Sequence, residues 1–419
     1  MRAQRAMLGL AFAGLAAIGV LSACASLVGV EDVRLRRDSG ADVGEEGEVP
    51  DGGAGEAGPP ENVLEVALGL SHTCARKPDL TVKCWGDDRS GQLGGGGMSD
   101  GGAAAPQTVA VNDAIRIAAG KNHTCVVRTG GKVSCWGDNQ DGQLGNGKTN
   151  ARSLVPEDVS GIADAVMVAC GAAFSCAARR SGSVACWGSG LAGQLGNGAR
   201  QVQPAPVPVS NLDRVVALSA GESHACAARD DGSLLCWGYG FDGQLGNGDQ
   251  QERLTPTPVT GLDSVALVAA AARSTCAMKS SGAVFCWGEN TLGQLGGGAA
   301  SPTPNPSPAA VPNLDAVALW AGADHACAVR KGGAVACWGA GFLGQIGDGR
   351  SRANASTPTA SPSGVQGVTG AVKVGTGGNH SCATTPNAIL CWGENDRGQL
   401  GNGTAGTPLL SPESVVGYP

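Results

Sequence analysis

The feature that most constrains the fold of this chain is a Cys-Trp-Gly triplet, which occurs seven times at a spacing of about 51 residues. Each triplet is followed by Gly-Gln-Leu-Gly or a near copy of it, and another cysteine precedes it by ten residues, or by nine in the last repeat. The cysteine pairs are Cys74 and Cys84, Cys125 and Cys135, Cys176 and Cys186, Cys226 and Cys236, Cys276 and Cys286, Cys327 and Cys337, and Cys382 and Cys391. A repeat of this length indicates one array of similar units, although 419 residues could form two or three ordinary domains.

Each repeat contains four short segments rich in Val, Ala and Leu that are separated by turn residues. In the second repeat, the first three segments are 114–120, 123–128 and 132–137, and a Pro-rich fourth segment follows the loop 142–147. Short segments of this composition, bounded by Gly, Pro, Asn and Asp, are typical of β-strands. The pattern therefore predicts four strands per repeat.

The two cysteines of a repeat are predicted to form a disulfide across a hairpin. Cys125 and Cys135 are symmetric about Gly130, so an odd-numbered loop places them opposite each other, with a Cα separation of about 4.5–5.5 Å. The shorter segment around Pro386 implies an even-numbered loop in the seventh repeat. Seven such disulfides would indicate an oxidising compartment.

The neighbours Cys135 and Trp136 must point to opposite faces of one strand, yet both residue types prefer burial. Sheets stacked side by side bury both of their faces, and seven of them can close a ring. An open solenoid is the alternative, but it would need polar end caps that the first and last repeats do not show. We therefore predict an all-β, seven-bladed β-propeller over residues 62–419, with four-stranded antiparallel blades and one hairpin disulfide per blade.

The first 61 residues predict an export signal and a tether. Arg2 and Arg5 precede an apolar run over 7–20 that is short for a membrane span, and Leu-Ser-Ala-Cys follows at 21–24. This tetrad resembles the bacterial lipobox, which implies a signal peptide over 1–23 and lipidation of Cys24. Residues 24–61 are acidic and Gly-rich and are predicted to be a flexible tether.

The expected location is the bacterial outer membrane, periplasmic or surface-exposed, with the lipid as the only membrane contact. Ala25 stands where some bacterial lipoproteins carry an Asp that retains them at the inner membrane. An ordinary secreted protein with a chance cysteine is the alternative.

The order Gly-x-x-His, hairpin, Cys-Trp-Gly and Gly-Gln-Leu-Gly resembles the repeat of the regulator of chromosome condensation family. The resemblance covers residues 62–419 and implies a seven-bladed propeller. It also implies that strands from the two chain ends can share a blade, with 63–69 and 408–417 as candidates. The cysteine pairs depart from the family's nuclear pattern and suit an exported bacterial member.

Residues 62–419 carry 24 Lys and Arg against 26 Asp and Glu, so no basic surface predicts nucleic-acid binding. The family's nuclear member exchanges nucleotide on a small GTPase and binds chromatin. Export and this near-neutral charge argue against both activities here.

Three other patterns resemble chemical sites but have simpler interpretations. Residues 142–149 match the phosphate-binding loop pattern, but the equivalent loops of the sister repeats lack its Lys and no helix-forming segment follows.

The five histidines share one repeat position and are expected to form structural hydrogen bonds, each within its own blade, instead of a metal site. Cys170 is expected to be a buried thiol, with disulfide exchange to Cys176 as the alternative. We predict no catalytic residue, no metal and no cofactor.

The segment between Cys-Trp-Gly and Gly-Gln-Leu-Gly varies most among the repeats and should project to one face of the propeller. Apolar side chains concentrate there in the third to sixth repeats, which is typical of partner binding by loops on a rigid scaffold. The candidate residues are Leu191, Tyr239, Phe241, Leu292, Phe342 and Leu343. We predict a monomer that binds an envelope protein or glycan. The alternatives are that these side chains fold back over the rim, that the protein is a passive structural component of the envelope, or that it is a propeller hydrolase.

Overall fold

The computed structural model describes residues 64–350 and 358–418, and these residues form 28 β-strands and no α-helix. Among them, no helix has the length and apolar character that crossing a membrane requires. The predicted signal peptide, the lipidation site Cys24 and the tether 24–61 lie outside the described residues.

The strands fall into seven groups of four in chain order. The first four groups are β1 Glu65–Leu68, β2 His72–Arg76, β3 Val82–Gly86, β4 Ala103–Thr108; β5 Ala114–Ala119, β6 His123–Arg128, β7 Val133–Asp138, β8 Arg152–Asp158; β9 Ala165–Cys170, β10 Phe174–Arg179, β11 Val184–Gly188, β12 Gln203–Pro208; and β13 Val215–Ala220, β14 His224–Arg229, β15 Leu234–Gly238, β16 Arg253–Pro258. The last three groups are β17 Val265–Ala270, β18 Ser274–Lys279, β19 Val284–Asn290, β20 Ser301–Ala310; β21 Ala316–Ala321, β22 His325–Arg330, β23 Val335–Gly339, β24 Thr359–Gly364; and β25 Lys373–Thr376, β26 His380–Thr384, β27 Ile389–Asn395, β28 Gly406–Ser414.

Each group forms one antiparallel four-stranded sheet, and the seven sheets are the blades of a propeller, as predicted. The first strand of every blade contacts the first strands of both neighbouring blades, so these strands surround the axis. The expectation that the chain ends share a blade is wrong. Among residues 64–350 and 358–418, β1 pairs only with β2 and β28 pairs only with β27, so blades 1 and 7 meet by packing and not by strand exchange.

The cysteine pair in every blade is a disulfide, and the two cysteines are direct partners in the strand register. Their Cα atoms are 4.0–4.1 Å apart, slightly closer than the predicted separation. Cys382 and Cys391 are also directly opposite each other, so the one-residue deletion is absorbed in the turn. All fourteen of these cysteines are buried, with at most 1 % of their surface exposed.

The triplet tryptophan packs between blades and closes the ring. Its indole Nε1 donates a hydrogen bond to the backbone oxygen of the Gln in the preceding blade at 2.9–3.0 Å in all seven cases. Trp85 of blade 1 bonds to Gln399 of blade 7, which joins the two ends. The last Gly of Gly-Gln-Leu-Gly is required at this contact because a Cβ on Gly94 would lie 2.7 Å from Nε1 of Trp136, and its φ is +69°.

The propeller has two faces that differ in their connections. The loop face, as we name it, carries the turns between the first and second strands and the residues that follow the third strand, such as 139–141 after β7. The hairpin face carries the turns between the second and third strands. Because β1 runs towards the loop face and β28 runs away from it, the described chain begins and ends at the hairpin face. Leu64 and Tyr418 share one core cluster there.

Candidate partner-binding face

Two hydrogen bonds hold the backbone of the variable loop in the same position in every blade. The N–H of the residue after the triplet donates to the oxygen of the residue before the histidine position, at 2.8–3.0 Å, as in the bond from Tyr239 to Ser223. Further along, the Gln side chain accepts a hydrogen bond from a loop N–H two residues before it, at 2.8–3.0 Å. The motif therefore fixes the loop backbone and leaves its side chains free to differ.

The structure exposes some of the predicted partner-binding side chains and partly covers the others. Leu191 and Phe241 are 63 % and 48 % exposed. Tyr239, Leu292, Phe342 and Leu343 are partly buried. The rings of Tyr239 and Phe241 meet edge to face with centroids 5.2 Å apart, so Tyr239 supports the exposed Phe241. Blades 3 and 4 thus present the most accessible apolar groups of this set.

A charged cluster lies directly beside this aromatic pair. The guanidinium of Arg273 is 4.0 Å from the carboxylates of both Glu222 and Asp242. Asp324 lies within electrostatic range of Arg273 and of Glu289. Glu289 also lies within electrostatic range of Asp242. We call these five residues, Glu222, Asp242, Arg273, Glu289 and Asp324, the carboxylate cluster. They come from blades 4, 5 and 6.

The cations near the cluster do not balance its charge. Lys121 approaches Glu222 from blade 2, so two cations face four carboxylates. The pKa of Asp324 is raised to about 6, mainly by burial and also by the charge of Glu289, while the charge of Arg273 opposes the shift. Burial is also the main cause of the raised pKa values of Glu222 and Asp242. The site therefore holds partly desolvated carboxylates with insufficient counter-charge.

The repeat pattern does not reveal this cluster because its members come from two kinds of loop in each blade. Glu222 and Asp324 lie in Gly-x-x-His turns and Arg273 lies in the equivalent Ala-Ala-Arg-Ser turn of blade 5, whereas Asp242 and Glu289 follow the triplets. The two x positions differ between repeats and could have been recognised as variable. Only the fold shows that they adjoin the aromatic loops. Tyr239 is next to the cluster, since Asp242, Arg273 and Glu222 all affect its pKa, which burial raises.

The five histidines are buried structural residues, but their hydrogen bonds cross to the next blade, so the prediction of bonds within one blade is wrong. In each case Nε2 lies 2.8–3.0 Å from a Thr or Ser hydroxyl. Each hydroxyl donates its only proton to the Gln backbone oxygen, so the histidine must donate from Nε2. The pairs are His72 with Thr124, His123 with Ser175, His224 with Thr275, His325 with Ser381, and His380 with Thr73.

Cys170 is a buried free thiol. Its sulfur lies in a group with His123 and Cys125 whose ligand atoms are within 4.8 Å of one another. Cys125 is already bonded to Cys135 and cannot act as a thiolate ligand. Burial raises the pKa of Cys170 to about 12, which disfavours the thiolate needed for disulfide exchange. In the strand register Cys170 pairs with Ser175, and Cys176 pairs with Ala169.

The segment that matches the phosphate-binding loop is a propeller turn. Gly145 packs against Trp187 of the next blade, and the N–H of Gly147 donates to Pro204. The next regular element is β8, a strand, where a phosphate-binding loop would continue into a helix. The match to the pattern is therefore not accompanied by the geometry that binds phosphate.

Comparison with known families identifies the repeat. Residues 48–272 match the RCC1-like domain, and residues 281–329 and 265–294 match the regulator of chromosome condensation (RCC1) repeat. The first of these matches alone covers more than half of the chain.

Curated relatives match part of the array. The ultraviolet-B receptor UVR8 of Arabidopsis thaliana is 37 % identical over 144 residues, which are 33 % of this chain and 32 % of that protein. The probable E3 ubiquitin-protein ligase HERC6 of Homo sapiens is 32 % identical over 143 residues, which are 33 % of this chain and 14 % of that protein. The matched region therefore spans a third or less of the length of these relatives.

Two solved structures share the fold. Human WBSCR16 has a TM-score of 0.70 at 24 % identity, covering 81 % of this chain and 96 % of that one. Prp20p from Saccharomyces cerevisiae, whose structure was described with its binding properties to Gsp1p and histones, has a TM-score of 0.70 at 21 % identity, covering 84 % and 87 %. Identities this low establish the common fold alone.

Proposed function

Because the chain belongs to the RCC1-like domain family, we propose that it is a binding protein that presents its loop face to a protein partner while an N-terminal lipid anchors it at the bacterial outer membrane. The observation that carries the binding function is the pair of exposed apolar side chains Leu191 and Phe241 on loops with fixed backbones. Exposed apolar residues on a rigid scaffold are typical of binding hot spots. Yeast Prp20p shows that a protein of this fold can bind other proteins.

A binding role is favoured over catalysis by the position of the histidines. Histidine is the most frequent residue in proton transfer. All five histidines of this chain are buried and bonded between blades, away from solvent. Burial also lowers their pKa values to about 3 or 4, far from the range useful for acid-base catalysis at neutral pH.

The direction of the strands supports the anchored arrangement. The described chain begins with Leu64 at the hairpin face, opposite the candidate binding loops. A tether over 24–61 that ends in a lipid would therefore join the propeller on the side away from the loop face. This would leave Leu191 and Phe241 pointing away from the membrane.

Replacing Leu191 and Phe241 together by Ala is expected to weaken partner binding at least tenfold without changing the unfolding midpoint. Both side chains are exposed, so their loss removes contact area and leaves the core intact. The measurement is crosslinking in native envelopes to identify the partner, followed by titration of the purified pair. Val416→Ala is the matched control because Val416 is 50 % exposed and follows β28, which ends at the hairpin face. If the Leu191/Phe241 variant and the Val416 variant crosslink to the same envelope proteins in equal amounts, the protein would instead be a passive structural component of the envelope.

Replacing Cys24 by Ala is expected to release the protein from the membrane fraction, because a single thioether-linked lipid is the proposed anchor. Fractionation of cells and intact mass of the recovered protein measure the change. Cys170→Ala is the control, since that cysteine is buried in blade 3. Unchanged membrane association and unchanged mass of the Cys24 variant would contradict lipid anchoring.

A further inference from the structure

The carboxylate cluster adjoins the aromatic pair, in which Phe241 is exposed and Tyr239 is partly buried. Asp242 lies one residue after Phe241, and Tyr239, Asp242 and Arg273 are electrostatic neighbours. Asp242 shares its loop with the aromatic pair, whereas the other four members of the cluster come from other segments that the fold brings to the same place. A partner that covers Phe241 must also face the carboxylates.

Two of the carboxylates, those of Asp242 and Asp324, lack a close counter-ion among the described residues. The Oδ2 atom of Asp242 is buried and has no hydrogen-bond partner among the described residues, and its distance to Arg273 is long at 4.0 Å. Asp324 is partly buried, yet none of the cations among the described residues forms a hydrogen bond with its carboxylate, and Arg273 acts on it only through its charge. Desolvated carboxylates without close counter-ions are unfavourable, and an added cation relieves that cost.

Charge complementarity therefore determines the chemistry of the partner. Resting on the proposed binding function, we infer that the loop face recognises a protein segment in which Lys or Arg stands beside an apolar side chain. The cation enters the carboxylate cluster, and the apolar side chain packs on Phe241 and Tyr239. Paired charges of opposite sign fix the orientation of a complex and accelerate association. The aromatic contact supplies apolar burial.

Neutral sugars are a less suitable occupant of this surface. A glycan could stack on Phe241, but it has no cation with which to neutralise four carboxylates that face two cations. An acidic partner would be repelled by the same groups. The observations thus favour a cationic protein segment over the glycan alternative.

A random 12-residue peptide library displayed on phage provides the probe. We expect selection on the wild-type propeller to enrich peptides in which Lys or Arg adjoins an apolar residue. Individual synthetic peptides are then titrated by fluorescence anisotropy at low and high salt. The double variant Glu289→Gln/Asp324→Asn is expected to weaken their binding at least tenfold and to reduce the salt dependence.

Asp141→Asn/Asp396→Asn is the matched control because it removes two carboxylates from loops of blades 2 and 7 on the same face, away from the cluster. It is expected to change peptide affinity less than twofold. Thermal unfolding of both double variants separates loss of binding from loss of folding. Equal effects of the two double variants would mean that only overall charge matters, which overturns the inference.

The remaining outcomes distinguish this inference from the proposed function. Binding that depends on Phe241 but not on Glu289 and Asp324 would overturn the cationic partner and leave the binding face intact. Enrichment of neutral or acidic peptides would also overturn the cationic partner and leave the binding face intact. Binding to a glycan array with no peptide enriched would lead to the same conclusion. Peptide binding that depends on neither Phe241 nor the cluster would contradict both.

Discussion

Acidification from pH 7 to pH 4 is expected to unfold the propeller. Burial lowers the folded-state pKa of His72 to about 4 and of the other four histidines to about 3. In the unfolded chain histidine titrates near its ordinary value of about 6.5, so the unfolded state binds more protons below that pH. Stability is fully present above pH 6.5 and falls as the pH drops. Between its folded-state and unfolded-state pKa values, each histidine lowers the free energy of unfolding by about 1.4 kcal/mol for each pH unit of acidification.

Between about pH 4 and pH 6.5, the five histidines together lower the free energy of unfolding by about 7 kcal/mol per pH unit. The total free energy of unfolding of a typical domain is only about 5–15 kcal/mol. Carboxylates with raised pKa values act in the opposite direction, since the folded state binds their protons more readily. Asp324, Asp242 and Glu222 belong to this group. The measurement is the free energy of unfolding from denaturant titrations at several pH values between 7 and 4. Constant stability over this range would contradict buried, neutral histidines.

One interface between blades lacks the histidine and its hydroxyl partner, and it shows which residues can replace them in a test of this prediction. Phe174 stands at the histidine position of blade 3, and Ala225 stands at the hydroxyl position of the next blade. Both belong to one core cluster, so an apolar pair satisfies this interface. We expect His224→Phe/Thr275→Ala to retain the fold at pH 7 and to lower the slope of stability against pH by about 1.4 kcal/mol per unit. An unchanged slope would show that His224 does not contribute to acid sensitivity.

Reduction of the seven disulfides is expected to prevent folding. By the loop-entropy model, one disulfide that closes a ring of roughly 11 residues raises the free energy of unfolding by about 3 kcal/mol, and seven such disulfides raise it by about 20 kcal/mol. This sum exceeds the roughly 5–15 kcal/mol stability of an ordinary domain. Because the disulfides are buried, they must be reduced in denaturant and alkylated before the denaturant is diluted. Circular dichroism and tryptophan fluorescence then report folding. Recovery of the native spectra would contradict the prediction.

Single-blade variants test the same effect without complete loss of folding. Cys176→Ala/Cys186→Ala removes one disulfide and is expected to cost about 2–3 kcal/mol. Cys170→Ala removes a thiol of the same blade that forms no disulfide and is expected to cost about 1 kcal/mol through lost packing. Equal costs for the two variants would mean that the disulfide contributes no more than its sulfur atoms do.

The repeat motif predicted the blade in detail because every residue in it has a local or nearest-neighbour role. The spacing of Cys125 and Cys135 determines the hairpin register, and Trp136 must occupy the opposite face of its strand. The prediction that each histidine bonds within its own blade is wrong because, although equivalent histidines are a blade's width apart, each ring reaches a hydroxyl of the adjacent blade. Its hydroxyl partner is about 50 residues away, at the matching position of the next repeat.

The sequence by itself determined the number of blades, the disulfides and the buried position of the tryptophans, because all of these follow from periodicity and the alternation of strand faces. The Cys-Trp-Gly unit also indicated that binding residues would lie where the repeats differ. Only the tertiary structure decided that Asp242 and Glu289 meet Glu222, Arg273 and Asp324. Radial packing brings turns of three consecutive blades together at the axis, and no spacing within a single repeat encodes that proximity.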